Sequence, residues 1–99
     1  MLTIESTTVE KLPVIIETPS DPTGTAPEFS IGTGTDPGTW VAGAWSSTWD
    51  STTRIATSLT PLTGVAGMVL TQGLQPRLWA RWHIGTEAPV RVVSVVQVI

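Results

Sequence analysis

The stretch Arg77–Ile99 restricts this chain more than any other, because it reads as a β-hairpin. Arg77-Leu78-Trp79-Ala80-Arg81-Trp82-His83-Ile84 alternates, and Val90-Arg91-Val92-Val93-Ser94-Val95-Val96-Gln97-Val98-Ile99 is dense in β-branched residues. Between them Gly85-Thr86-Glu87-Ala88-Pro89 has the length of a common hairpin loop. With Ile84 facing Val90, Trp82 lies opposite Val92, Ala80 opposite Ser94 and Leu78 opposite Val96 on one face. The other face carries Trp79 opposite Val95, Arg81 opposite Val93, Arg77 opposite Gln97 and His83 opposite Arg91. The first face is a core face, so Trp82 is expected between two sheets. The apolar run Val95–Ile99 is expected inside a sheet or covered, since a flat β-branched edge invites pairing with other chains.

The rest of the chain supplies short strands and turns. Thr3–Glu10 reads as an opening strand, broken at Pro13, with a second strand through Glu17 that changes sheet. Pro19-Ser20-Asp21-Pro22-Thr23-Gly24 and Gly34-Thr35-Asp36-Pro37-Gly38 are turns. Glu28–Thr33 alternates with Phe29 and Ile31 on one face. In Thr39–Asp50, Trp40, Ala42 and Ala44 share one face, and Val41, Gly43 and Trp45 the other, before a loop at Ser46–Asp50. Thr52–Thr60 is the next strand. Leu62–Gln75 reads as strand or irregular loop, since Gly64, Gly67 and Gly73 weaken any helix. Turns recurring between short strands point to an all-β sandwich or small barrel, one domain over residues 1–99. The small side chains of Ala80 and Ser94 leave a dip that Trp45 or Trp40 would fill from the facing sheet.

Few residues offer chemistry. With no cysteine and one histidine, His83, neither a transition-metal centre nor a thiol nucleophile is expected. No strand–turn–helix nucleophile elbow accompanies His83, and the chain is short for a carboxylate-lined cleft, so it reads as non-enzymatic, without cofactors. Asp21 and Asp36 each precede a proline and lack the alternating acids of a calcium loop. No apolar run is long enough to span a membrane, the N-terminus lacks the pattern of a signal peptide, and the net charge of −3 argues against nucleic acid. Trp40, Trp45 and Trp49 offer a second reading, as a sugar-binding platform.

Charge is unevenly placed. Residues 1–50 hold Glu5, Glu10, Glu17, Asp21, Glu28, Asp36 and Asp50 against Lys11, whereas residues 51–99 hold Arg54, Arg77, Arg81 and Arg91 against Glu87. On the hairpin's second face Trp79, Val93 and Val95 are too apolar for open solvent, and Arg77, Arg81, His83 and Arg91 too charged for a core. Tryptophan set with arginine matches interface hot spots. The expected assembly contact is therefore Arg77, Trp79, Arg81, Arg91, Val93 and Val95, facing acids of a neighbouring subunit.

The order of these features, above all Leu78-Trp79-Ala80-Arg81-Trp82, Glu87-Ala88-Pro89-Val90-Arg91 and the Val-rich final strand, resembles the small immunoglobulin-like β-sandwich virion proteins of tailed bacteriophages, of the type found in phages of actinobacteria. The resemblance implies a small immunoglobulin-like β-sandwich of about seven short, mainly antiparallel strands. It also implies a virion component made in the host cytoplasm, a capsid decoration or head–tail connector subunit. Its partners would be a major capsid protein or head–tail components and copies of itself. A tail-tube or baseplate sandwich fits equally. The runner-up from another class is a carbohydrate-binding module or tail-tip host-recognition domain built on Trp40, Trp45 and Trp49.

Overall fold

Gly85 decides how the closing hairpin is wound. Its φ is +59°, and the residues on either side of Gly85-Thr86 exchange both backbone hydrogen bonds, Ile84 N to Glu87 O and Glu87 N to Ile84 O, each 3.0 Å. The hairpin therefore closes on a two-residue turn with glycine at the first central position, the type II′ requirement. The five-residue loop expected from the sequence is not formed. Pro89 is no obstacle, because its carbonyl still accepts a hydrogen bond from Trp82 N, 3.3 Å.

In the computed structural model, which describes residues 2–4, 9–32, 37–63 and 76–98 (backbone alone for Leu2, Ile4 and 95–98), eight strands form. They are β1 Leu2–Ile4, β2 Pro13–Glu17, β3 Glu28–Gly32, β4 Val41–Ala42, β5 Ala44–Trp45, β6 Ile55–Leu59, β7 Arg77–Arg81 and β8 Val90–Val98. One sheet has the order β1-β8-β7-β3-β4 and the other β2-β6-β5; all pairs are antiparallel except β1 with β8. Strands three, seven and eight with an added fourth, facing strands two, six and five, make an immunoglobulin-like sandwich. β8 has a different neighbour along each part of its length: Val90–Val95 lie beside β7 and Val96–Val98 beside β1.

The tight turn resets the pairing. Arg81 lies opposite Val90, Ala80 opposite Arg91 and Trp79 opposite Val92; a bulge follows, after which Leu78 meets Ser94 and Arg77 meets Val95. Near the turn this differs from the expected register by three residues, an odd number, so every β8 side chain there changes face. Val90 and Val92 join the side of Arg81 and Trp79, and Arg91 joins the side of Ala80. Alternation within β7 does not depend on its partner, so Leu78, Ala80 and Trp82 still point inward, with 2%, 1% and 8% of their surface exposed.

The core collects Val14 and Ile16 from β2, Phe29 from β3, Leu78 and Ala80 from β7, and Trp82. Phe29 is wholly buried, and Ile31 packs against the same cluster. The two-sheet path of the opening segment also holds: β1 belongs to the larger sheet, and β2 begins at Pro13 in the smaller. The opening strand is shorter than expected, since β1 ends at Ile4, residues 5–8 lie outside the described residues, and Val9 and Glu10 are not in a strand. Buried hydroxyls fasten the end of this segment: Thr63 Oγ1 accepts from Glu10 N and Thr60 Oγ1 from Leu12 N, at 3.1 and 2.9 Å.

Trp40 to Trp45 alternates as expected but not as one strand. The chain passes from β4 in one sheet to β5 in the other at Gly43, whose amide donates to Pro27 O, 2.8 Å. A side chain at Gly43 would meet the Leu59 carbonyl oxygen and come within 2.6 Å of the Phe29 ring. β6 starts three residues later than expected because the Asp50 carboxylate captures the backbone amides of Thr52 and Thr53, at 2.7 and 3.2 Å, and turns the chain there. Asp21 closes its turn in the same manner through Thr23, whose hydroxyl and amide both donate to Oδ1. Gly64–Gln75, read as strand or loop, and Asp36 lie outside the described residues.

Candidate functional site

β7 directs Leu78 and Ala80 into the core, so Arg77, Trp79 and Arg81 stand on the opposite, outer face of the five-stranded sheet. β3 is antiparallel beside it, and its register sets Glu28 directly across from Arg81 and Ser30 across from Trp79. The charged pair is bidentate: Arg81 Nε donates to Glu28 Oε1 at 3.1 Å and Nη2 to Oε2 at 2.9 Å. His83 completes it, with Nε2 3.0 Å from Glu28 Oε1. An ionised carboxylate only accepts, so Nε2 carries the proton in that bond. The Arg81 guanidinium also lies over the Trp40 ring, 4.5 Å from its centroid, stacking the cation on the aromatic face.

The hydrogen bonds from Arg81 and then His83 hold the Glu28 carboxyl below its ordinary value, outweighing the opposing effect of burial. The folded chain thus binds this proton more weakly than the unfolded chain. The stabilisation is complete above the ordinary carboxylate value of 4.5 and fades as pH falls through the depressed one. Glu28→Gln is expected to cost about 1 kcal/mol at pH 7, as for a partly exposed charged pair. That difference should shrink toward zero when wild type and variant are melted at pH 3.

The six residues expected at an assembly contact do not all share this face. Arg77, Trp79 and Arg81 do, and Val95 is paired with Arg77 in the backbone register. Val93 sits at the bulge and is 41% exposed. Arg91 falls on the other side, opposite Ala80, and His83 is beside Glu28 rather than Arg91. Arg81 is satisfied within the chain by Glu28. The acidic first half and arginine-bearing second half therefore meet inside one molecule here. Sequence reasoning missed Val92, which the reset register places opposite Trp79, 45% exposed; the signal was the Gly-Thr turn.

Trp40, Trp45 and Trp49 are dispersed. Trp40 underlies Arg81, whereas Trp45 packs against the core from the other sheet and donates its Nε1–H to Thr25 O, 2.9 Å. The Ala80–Ser94 pair whose dip one of them was expected to fill is not formed, since Ala80 lies opposite Arg91 and Ser94 opposite Leu78. Trp49 Nε1 donates to Thr18 O, 3.1 Å. No described face carries all three rings. Among the described residues no group of three His, Asp or Glu side chains is placed to hold a metal ion.

Comparison with models of known protein families, with curated proteins and with solved structures finds no match to this chain.

Proposed function

We propose that this chain is a non-enzymatic structural subunit of a tailed-bacteriophage virion, a capsid decoration or head–tail connector protein that acts by protein–protein contact. The observation that carries the reading is the outer face of the larger sheet, where Trp79 stands opposite an exposed Val92 beside the exposed Arg77, with the exposed Val93 in the adjoining bulge. An aromatic ring next to uncovered aliphatic side chains, rimmed by arginine, has the composition of an interface centre. The sandwich supports it as a rigid platform, and the sequence resemblance supplies the particle.

Arg81 holds the fold through Glu28 and Trp40, so truncating it would confuse assembly with stability. Val92→Glu is the cleaner variant, since it places a charge on the exposed face opposite Trp79 and leaves the core untouched. In co-sedimentation with empty capsids and with isolated tails, wild type is expected to bind one particle. Val92→Glu should lose at least ~10-fold in affinity, the cost of burying an unpaired charge, with a melting temperature within a few degrees of wild type. Equal binding by both proteins, or none by wild type, would sink the reading.

A further inference from the structure

Among the described residues the sandwich is open along one seam, whose walls carry backbone groups that no described strand pairs. Ile84 and Glu87 exchange both hydrogen bonds, so by antiparallel alternation Trp82–Pro89 and Ala80–Arg91 are the next hydrogen-bonded pairs. The backbone amides and carbonyls of Val90 and Val92 therefore point away from β7. Among the described residues β1 pairs with that edge only at Val96, Gln97 and Val98. Across the gap β2 pairs, among the described residues, with β6 alone, and the Thr18–Arg54 and Leu12–Thr60 hydrogen bonds fix the alternation that turns the amides of Ile15 and Glu17 to its other side. Between the two edges lies a cleft of about 290 Å³ reaching Val14, Ile16, Ala80 and Trp82. Arg91 and Glu17 stand at its lips, and both are exposed.

Two residues that line the seam carry polar groups of note. Trp82, at the floor of the cleft, has its Nε1–H buried without an acceptor, as has Trp79 on the outer face. Arg91 folds its guanidinium back onto the carbonyl of Val90, 2.9 Å, which shields an edge that would otherwise pair with other chains.

We propose that this seam accepts an extended segment of a partner polypeptide, which adds to β8 at Val90–Val92 as a strand. The seam borders the outer face at Val92 and Val93 but does not rest on the virion reading, because it is read out by Arg91, Trp82 and backbone pairing rather than by the Val92 side chain. The residue opposite Arg91 points into the cleft and is a branched aliphatic; the next inward residue is acidic and draws Arg91 off the Val90 carbonyl. Strand addition of this kind takes affinity from backbone bonds and specificity from alternate side chains. The β8 edge is favoured over β2, whose first residue, Pro13, has no donor. A second copy is disfavoured, because pairing two such edges with Val90 opposite Val92 sets Arg91 against Arg91.

The test uses the full chain and a labelled peptide, acetyl-Ser-Thr-Val-Thr-Asp-Thr-amide, with a Lys-for-Asp peptide as its counterpart. In anisotropy titrations the Asp peptide is expected to bind at least ~10-fold more tightly than the Lys peptide, and Arg91→Glu should invert that preference. Val92→Pro, which removes an amide that faces away from β7, should abolish binding with little change in melting temperature. The indole N–H resonance of Trp82, assigned with Trp82→Phe, should shift on saturation. Equal binding of both peptides, no binding at millimolar concentration, or an unmoved Trp82 resonance overturns the proposal. So does a peptide-free dimer that Val92→Pro dissociates, which would assign the edge to a second copy.

Discussion

Trp82→Ala is expected to lower the melting temperature by roughly 12–40 °C. The indole is 8% exposed and packs in one cluster with Val14, Ile16, Phe29, Leu78 and Ala80, drawn from both sheets. Truncating a buried tryptophan costs about 3–5 kcal/mol, through lost transfer energy and the cavity left behind. For a domain of this size each kcal/mol moves the midpoint by about 4–8 °C. Since stability of such domains is about 5–15 kcal/mol in total, the variant sits near the limit of folding. Trp82→Phe separates packing from polarity. It keeps most of the ring and deletes the unpaired Nε1–H, whose burial costs about 1–3 kcal/mol. Its net cost should therefore stay below about 1.5 kcal/mol. Chemical denaturation of both variants reads this directly, and a phenylalanine as damaging as alanine would mean that the indole N–H is satisfied.

Gly43→Val should be at least as damaging, for the opposite reason. Trp82→Ala empties space, whereas any side chain at 43 enters space already filled by the Leu59 carbonyl and the Phe29 ring, whose nearest atoms are 2.6 and 2.9 Å from an added Cβ. Neither neighbour yields easily. The carbonyl belongs to β6, and the phenyl is wholly buried at the centre of the core. Overpacking costs about 1–3 kcal/mol when a core can adjust. Here the strain falls where the chain passes between sheets, so Gly43→Ala should cost about 3 kcal/mol and Gly43→Val should leave little folded protein. Gly24, with open space around it, provides the matched control, and Gly24→Ala should melt within a few degrees of wild type. Circular dichroism melts of the three variants suffice; a stable Gly43→Val would show that β4 and β5 are not joined through so close an approach.

The two variants differ in how visible their sites were beforehand. Trp82 was legible from alternation: Leu78, Ala80 and Trp82 recur at period two, and a β-strand has no means of turning such a series except as one face. Gly43 was only one small residue in an alternating run, and nothing in the run shows that it is where the strand changes sheet. That follows from Phe29 and Leu59, distant in sequence, converging on it.

The same division holds for the outer face. Local order determined that Arg77, Trp79 and Arg81 share a side, that the opening segment breaks at Pro13, and that Asp21 begins a turn, because each depends on a residue and its near neighbours. Pairing between strands is decided elsewhere. One glycine at positive φ shortened the turn, moved β8 by an odd number of residues, brought Val92 beside Trp79 and sent Arg91 to the open seam. Likewise the charge asymmetry was plain from the sequence, yet only the β3–β7 register set Glu28 against Arg81. Side-chain alternation is a property of the single strand, and so of the sequence. Which strand edges meet, in what register, and which edges stay open are properties of the closed sandwich, where packing of distant residues selects one pairing among several that local propensity allows.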